Sequence, residues 1–562
     1  MKKFTGDFET AVWKENETWV WAWAVCEIGN EENLQIGNNI DDFIEFCRKE
    51  KNSSFYFHNL KFDGEFILQW LLHNGFTEII ENGGKAAFTA KSFKTLISDM
   101  GQFYSIEICF SRNKSELYKV KILDSLKLLP FSIDQMAKTF GLPISKLEID
   151  YRAKREIGHI LTEEEKAYIK NDVAIAAMAL KALFDMGLTK MTTASNALNE
   201  YKTLMGNRFK YWFPPPQYDA EIRQAYKGGF TYLSPRYADK DVGKGIVLDV
   251  NSLYPAMMYY KPLPYDEGVF YDGKYQTDNE YPLYIQIVRV SFELKPKHIP
   301  TIQIKGNLSF VSTEYLESSN GEIVSLALTS PDLELLLSHY NCDYIEYVCG
   351  WKFKAGTAAF RKYIDKWIGV KIEATKEGNK GKRAIAKLML NSLYGKFATN
   401  PMCRSKHPYL GENGEIKYQL GEEEERAPIY IPVAAFITAW GRYTTITSAQ
   451  KVYDRFIYAD TDSLHLEGTD FPEGLDIDDV KLGAWKVESE FTRARFLHQK
   501  CYIEEIGNEL KITCAGMPKS CYPYVTWENF HPNASYKGKL KPQHVNGGIV
   551  LVDTPMTIRE KK

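Results

Sequence analysis

The stretch Arg455 to Gly468, RFIYADTDSLHLEG, narrows the possible folds of this chain more than any other. Two apolar runs flank a short acidic step, so the segment reads as a hairpin: strand, acidic turn, strand. Asp460 and Asp462 alternate in that turn. A second segment, IVLDVNSLYPAMM, begins as an apolar strand, delivers Asp249 at its end and reaches Tyr254 five residues later as a helix starts. Three carboxylates at the rim of one sheet repel one another unless a divalent cation lies between them. Two Mg²⁺ ions at such a rim suit nucleotidyl transfer, because they lower the charge on an attacking hydroxyl and on a leaving pyrophosphate.

Between these segments the pattern is helical from Thr357 to Ala398. Residues 352–396 hold twelve Lys or Arg against three acids, a net of +9. A charged helix is ordinarily just a solvated one. Here the run leads into KRAIAKLMLNSLYGKFATN, where Lys387, Asn391 and Tyr394 share one helix face. Positive charge on that face can meet a triphosphate, and Tyr394 can cap a base pair.

A first block of about 200 residues, closed by Pro214-Pro215-Pro216, alternates strands and helices and reads as α/β. Asp7 and Glu9 alternate on a strand and so share a face. Asn59 and Asp63 follow, and Tyr168 and Asp172 stand at i and i+4 on one long helix. Four acids brought together from distant segments need cations between them, and two Mg²⁺ about 3.5–4 Å apart can activate water against a phosphodiester. A strand DxE alone is usually a solvated edge; the ordered set is far more specific.

Bulk properties exclude little. The chain has 562 residues, enough for about three to five domains. Net charge is -3, so nucleic-acid binding would rest on local basic tracks. Aromatics make up 14%, which fits large cores as well as base-stacking surfaces. Nine scattered cysteines without a CxxC pair argue against a disulfide framework or zinc site and favour a reduced cytosolic setting. MKKFTGDFET lacks the apolar stretch of a signal peptide, and Trp19 to Cys26 is too short to span a bilayer and reads as a buried strand.

The motifs DxxSLYP, KxxxNSxYG and YxDTDS, in that order, resemble family B DNA polymerases. The segments YFHNLKFDG, YIKND, AYKGGFT, IPTIQIK, KLMLNSLYGKFA, FITAW, CAGM and GGIVLVD extend the likeness over nearly the whole chain, to the phi29-like protein-primed family B polymerases of bacteriophages. That resemblance implies a ribonuclease H-like 3′–5′ exonuclease domain followed by a right-hand polymerase, α/β and α+β in class. It implies Asp249 and Asp462 as the principal metal ligands, the Val250 carbonyl assisting and Asp460 as a less direct third acid. Tyr254 becomes the gate against a ribose 2′-hydroxyl. Lys371, Arg383 and Lys387 meet the triphosphate, with Asn391 and Tyr394 beside it. Ser252, and Lys500 with Tyr502 of QKCYIE, contact DNA near the primer terminus. Tyr226-Lys227-Gly228-Gly229 binds template, its two glycines allowing close approach to phosphate.

For the first block the resemblance implies Asp7, Glu9, Asp63 and Asp172 as metal-site acids and Tyr168 as the hydroxyl that orients water. Lys146 meets the scissile phosphate, and Glu148 helps hold a metal. His58, Asn59, Phe62, Phe66, Ser125 and Leu126 line the channel for a frayed single strand. The implied domains are 1–192 exonuclease, 193–260 first palm part, 261–358 an insertion that docks a terminal priming protein, and 359–398 fingers. Then come 399–431, a second insertion that gives processivity and strand displacement, 432–514 second palm part and 515–562 thumb. The expected turn of the second insertion is Glu412-Asn413-Gly414-Glu415. Implied partners are primer-template DNA, single-stranded DNA, deoxynucleoside triphosphates and the terminal protein. Two Mg²⁺ serve each site, Mn²⁺ being able to substitute. The implied protein is a monomer in the cytoplasm of an infected bacterial host, without a membrane. The chain departs from the family after Tyr502, where it is shorter, and before Arg383, where EGNKGKR adds residues. A free-standing nuclease would leave the second set of acids unexplained. An RNA-synthesising enzyme fits Tyr254 poorly, and a single-strand binding protein needs none of the placed acids.

Overall fold

The computed structural model describes residues 1–80, 87–113, 116–303 and 315–560. Ile304 and Lys305 of the IPTIQIK segment lie outside the described residues. The fold is multidomain and mixed; among the described residues it is built on four larger sheets and two long hairpins.

The first block centres on an eight-stranded sheet. Its middle strands Lys3–Thr10, Ser54–Phe57 and Glu116–Asp124 run parallel, and antiparallel strands extend it on both sides. Val20–Glu27, the strand expected from the Trp19 to Cys26 run, is buried along nearly its whole length. Helix Glu163–Asp185 starts at a capping box on Thr162 and Glu165 and packs its Ala/Leu face on the sheet. The meander from Ser92 to Asp124 makes the block richer in strand than the alternating pattern suggested. β-branched and aromatic residues that face both a sheet and a helix carry little periodic signal.

The acidic hairpin forms where expected, as strands Phe456–Asp460 and Ser463–Glu467. It lies within a five-stranded antiparallel sheet beside Gly245–Val250, with Trp485–Phe491 and Thr231–Leu233 at the edges. Behind it runs helix Ile431–Lys451, which is buried on most sides and packs into the largest core.

The described residues of 261–358 form a four-stranded antiparallel sheet. They also include a helix, Ser330–His339; Thr329 caps it through the Asp332 amide and Pro331 sits in its first turn. The helical run 357–398 divides into Arg361–Lys376 and Lys380–Phe397. The division falls in EGNKGKR, where Gly378 takes a positive φ of 68° and Asn379 caps the second helix. After Tyr502 the chain makes strands Cys501–Ile506 and Glu509–Cys514, joined by only Gly507 and Asn508.

Two hairpins lean on the first block. Met402–Leu410 and Ile416–Glu425 turn at the expected Gly414. Ser535–Val545 and Gly548–Thr557 are long strands. Both meet helix Leu60–His73: Tyr418 donates to buried Glu65 at 2.8 Å, and Gln69 donates to the Gly414 carbonyl at 2.5 Å. His544 lies 3.7 Å from the same Glu65 carboxylate. Among the described residues, no helix is long and apolar enough to cross a membrane.

Candidate functional site

Two acid-lined clefts emerge. The first, of about 920 Å³, is lined by Asp7, Glu9, Asp63, Asp172, Lys146 and Tyr168. Strand Lys3–Thr10 supplies the first two acids, and helices Leu60–His73 and Glu163–Asp185 supply the others. Burial and then Asp172 push the Asp7 carboxyl up to about 7. Burial and then Asp7 hold Glu9 and Asp63 well above the usual carboxylate range. Asp172 is raised by burial too, although Lys146 Nζ donates to its Oδ2 at 2.6 Å. Its other oxygen, Oδ1, is buried without a hydrogen-bond partner. This excess of desolvated negative charge fits a divalent cation with oxygen ligands.

Lys146 also donates to the Tyr168 hydroxyl at 3.3 Å, and Tyr151 bonds the same hydroxyl at 2.5 Å. Tyr151 closes the SKLEIDY segment but is not singled out by spacing. His58 lies between Ser125 Oγ (3.0 Å) and the Phe131 carbonyl (2.7 Å). Burial lowers it to about 4, so the ring is neutral at pH 7 and Nε2 carries the proton given to the carbonyl. Asp124, also missed, accepts from the amides of Asn59, Leu60 and Leu126 and so ties the two loops together.

Four expected channel or metal residues, Phe66, Ser125, Leu126 and Glu148, do not line the first cleft. Phe66 is 1% exposed and packs behind Phe62 and against Gly548, because an apolar ring on this helix face is buried by the C-terminal hairpin. Ser125 is fully buried, holding His58 and the Phe57 carbonyl. Glu148 is exposed and does not line the cleft. Phe62, His58 and Asn59 do line it.

The second cleft lies at the rim of the five-stranded sheet. The Val250 amide donates to the Asp462 carbonyl at 2.7 Å, and Asp249 stands opposite Ser463 in the register. The Asp462 carboxyl is pushed up to about 6 by burial and then by Asp249. Burial also raises Asp249, against the pull of Lys486, whose Nζ is 3.3 Å from its Oδ2. Asp460, expected as the less direct third acid, is paired within the protein: Lys500 Nζ bonds both its oxygens at 2.9 Å and Thr231 donates at 3.1 Å. Tyr502 is 7% exposed and stacks on Phe496 at 4.9 Å, a core position beneath the cleft.

Opposite the acids, Arg383, Lys387 and Asn391 of helix Lys380–Phe397 line a cavity of about 790 Å³ shared with Lys138 of the first block. Lys371 lies in the field of Arg383, Lys486 and Lys387; burial, and then these cations, lower it. Arg383 thus joins the other two cations despite the added residues before it. Tyr254 and Tyr394 meet at 4.3 Å between ring centroids.

Several backbones here are forced. Asn59, Ser252, Thr461 and Lys500 all take positive φ, between 55° and 70°. Such conformations cost on the order of 1–3 kcal/mol each and gather at functional sites. Gly228 faces open space, but a Cβ at Gly229 would lie 2.6 Å from Thr461 Oγ1. The close approach at Gly229 is therefore to the acidic turn. Arg442 holds this segment by donating to the Lys227 and Gly228 carbonyls at 2.9 and 2.8 Å. The same guanidinium makes a buried pair with Asp332, 2.7 Å at its shortest. Neither Arg442 nor Asp332 was recognisable from spacing.

Among the described residues, no three His, Cys, Asp or Glu close into a ready ion cage. Mg²⁺ needs no such cage, because it commonly keeps water and substrate oxygens beside one or two carboxylates.

Comparisons with known proteins agree over the chain. The family described as DNA polymerase type B, organellar and viral, matches residues 44–166 and 156–479. The DNA polymerase of Bacillus phage B103 is 46% identical over 99% of this chain and 100% of its own length. The structure is similar to phi29 DNA polymerase complexed with primer-template DNA and incoming nucleotide substrates, with a TM-score of 0.93 and 45% identity over 99% and 100% of the two chains. It is also similar to phi29 DNA polymerase complexed with single-stranded DNA, with a TM-score of 0.92 at the same identity and coverage.

Proposed function

Since this chain belongs to the type B DNA polymerases of the organellar and viral kind, we propose that it extends a DNA primer at the sheet rim and trims the primer 3′ end in the first block. It is a DNA-directed DNA polymerase of the phi29-like phage group. The proposal assigns which residues do each task.

At the rim, Asp249 and Asp462 hold the metal ions and the incoming nucleotide's phosphates lie between them and the fingers helix. Two bound Mg²⁺ supply charge neutralisation for the attacking and leaving oxygens. Lys371, Arg383 and Lys387 neutralise the triphosphate, and Tyr394 with Tyr254 closes the nucleotide pocket, where the Tyr254 ring occupies the space of a 2′-hydroxyl. Gly228, facing open space, leaves room for the template backbone. In the first block, Asp7, Glu9, Asp63 and Asp172 hold the hydrolytic ions. Tyr168, kept protonated by burial and held by Lys146 and Tyr151, orients water. Phe62, His58 and Asn59 border the path of an unpaired strand, as would suit the single-stranded DNA held by the phi29 relative.

One observation carries the reading. The Asp462 and Asp249 carboxylates share a rim and lie in the field of Lys387, which lines a cavity with Arg383, and this is the charge layout a metal-bound triphosphate needs. The reading extends to protein priming through 261–358, strand displacement through 399–431, and replication of phage DNA in the host cytoplasm by a monomer. A primed template supplied with Mg²⁺ and deoxynucleotides tests the core. Extension and, without nucleotides, 3′ shortening are expected; absence of both from folded protein would overturn it. Transfer of a labelled nucleotide to a hydroxyl of the terminal protein tests priming.

A further inference from the structure

Strand Trp485–Phe491 pairs with Gly245–Val250 so that Lys486 stands directly opposite Asp249. Its ammonium is 3.3 Å from Asp249 Oδ2, and 37% of its side chain is exposed. A pair this open to water adds little to folding stability. Its position is more informative. Lys486, Arg383 and Lys387 all act on the charge of Lys371, and Lys387 acts on Asp249 and Asp462 as well. Four cations therefore gather beside the acid pair. Three come from the helices, and Lys486 alone of the four comes from the sheet. Cations crowded in this way repel one another, and a polyanion among them removes that repulsion. A lysine suits such a place because its flexible four-carbon stem can carry a compact charge from one partner to another.

We propose that Lys486 is a nucleotide-binding residue, whose ammonium, set beside Asp249 by the strand register, contacts the triphosphate of the incoming deoxynucleotide. That contact would leave Asp249 free to hold a metal ion. It rests on the assignment of Asp249 and Asp462 to the polymerising site.

The test uses the full chain on a primer-template ended with a dideoxynucleotide, with Ca²⁺ in place of Mg²⁺, so that binding is read without reaction. Lys486→Met is expected to weaken binding of the next deoxynucleoside triphosphate about tenfold, the scale of one charge-assisted contact. Lys486→Arg is expected to restore most of it, and DNA affinity by gel shift should be unchanged in both. In steady-state extension with Mg²⁺, KM should rise more than kcat falls. Nucleotide binding by Lys486→Met as tight as the parent's would overturn the proposal, and tighter binding would make Lys486 only a counter-ion of Asp249. Asp249→Asn is assayed alongside: full extension by that variant would sink the site assignment itself, whereas its inactivity together with an unaltered Lys486→Met would sink the role of Lys486 alone.

Discussion

The first-block cleft and the sheet rim solve one problem, crowded carboxylates, in opposite ways. In the first block, Glu9, Asp63 and Asp172 are 7%, 3% and 4% exposed, and Lys146 is the cation bonded to the set. At the rim, Asp249 and Asp460 are about a quarter exposed and each has a lysine of its own, Lys486 and Lys500. A buried set of acids keeps most of its charge uncompensated, whereas an open rim has water and lysines to offset it.

The comparison breaks most sharply at the acids. Asp249→Ala or Asp462→Ala should reduce primer extension on the order of 10³-fold or more while 3′ trimming of a labelled primer persists. Substantial extension by either variant would refute the rim assignment. The double change Asp7→Ala with Asp63→Ala should produce the reverse phenotype, and persistent trimming would refute the first-block one. Removal of residues 404–428 should act more selectively, lowering strand displacement on a nicked duplex more than addition of one nucleotide; equal loss of both would argue against a role for that hairpin on the displaced strand. The smallest effect sharpens the contrast within one cleft. Tyr151→Phe removes only the hydroxyl bonded to Tyr168 and should slow trimming about tenfold, the lower range for a group that orients another, with extension unaltered.

Local pattern made the acids visible. Asp249, Asp460 and Asp462 end or join apolar strands, and Tyr168 with Asp172 sit one helical turn apart, so a few neighbouring residues suffice to read them. The hairpin turn at Gly414 and the break between helices Arg361–Lys376 and Lys380–Phe397 were also written locally, in glycine and asparagine. Partners set by register were not. Nothing near Lys486 says that it will face Asp249, and nothing near Lys500 says that it will hold Asp460. Phe66 looked like a stacking ring because its burial depends on a hairpin nearly five hundred residues further along the chain. Arg442 and Asp332 sit in ordinary helical sequence, and only the packing of one helix on another makes them a buried pair.

The contact between Gly229 and Thr461 has an evolutionary side. A side chain at 229 would collide with the threonine, while Thr461 itself adopts a backbone conformation, φ 62°, that glycine takes without strain. The pair requires one residue without a β-carbon, and either position can be that residue. Alanine at 229 should be harmful in the present background and tolerated once 461 is glycine. Position 229 cannot gain a side chain until 461 has lost its own, so lineages that cross from one arrangement to the other must pass through glycine at both.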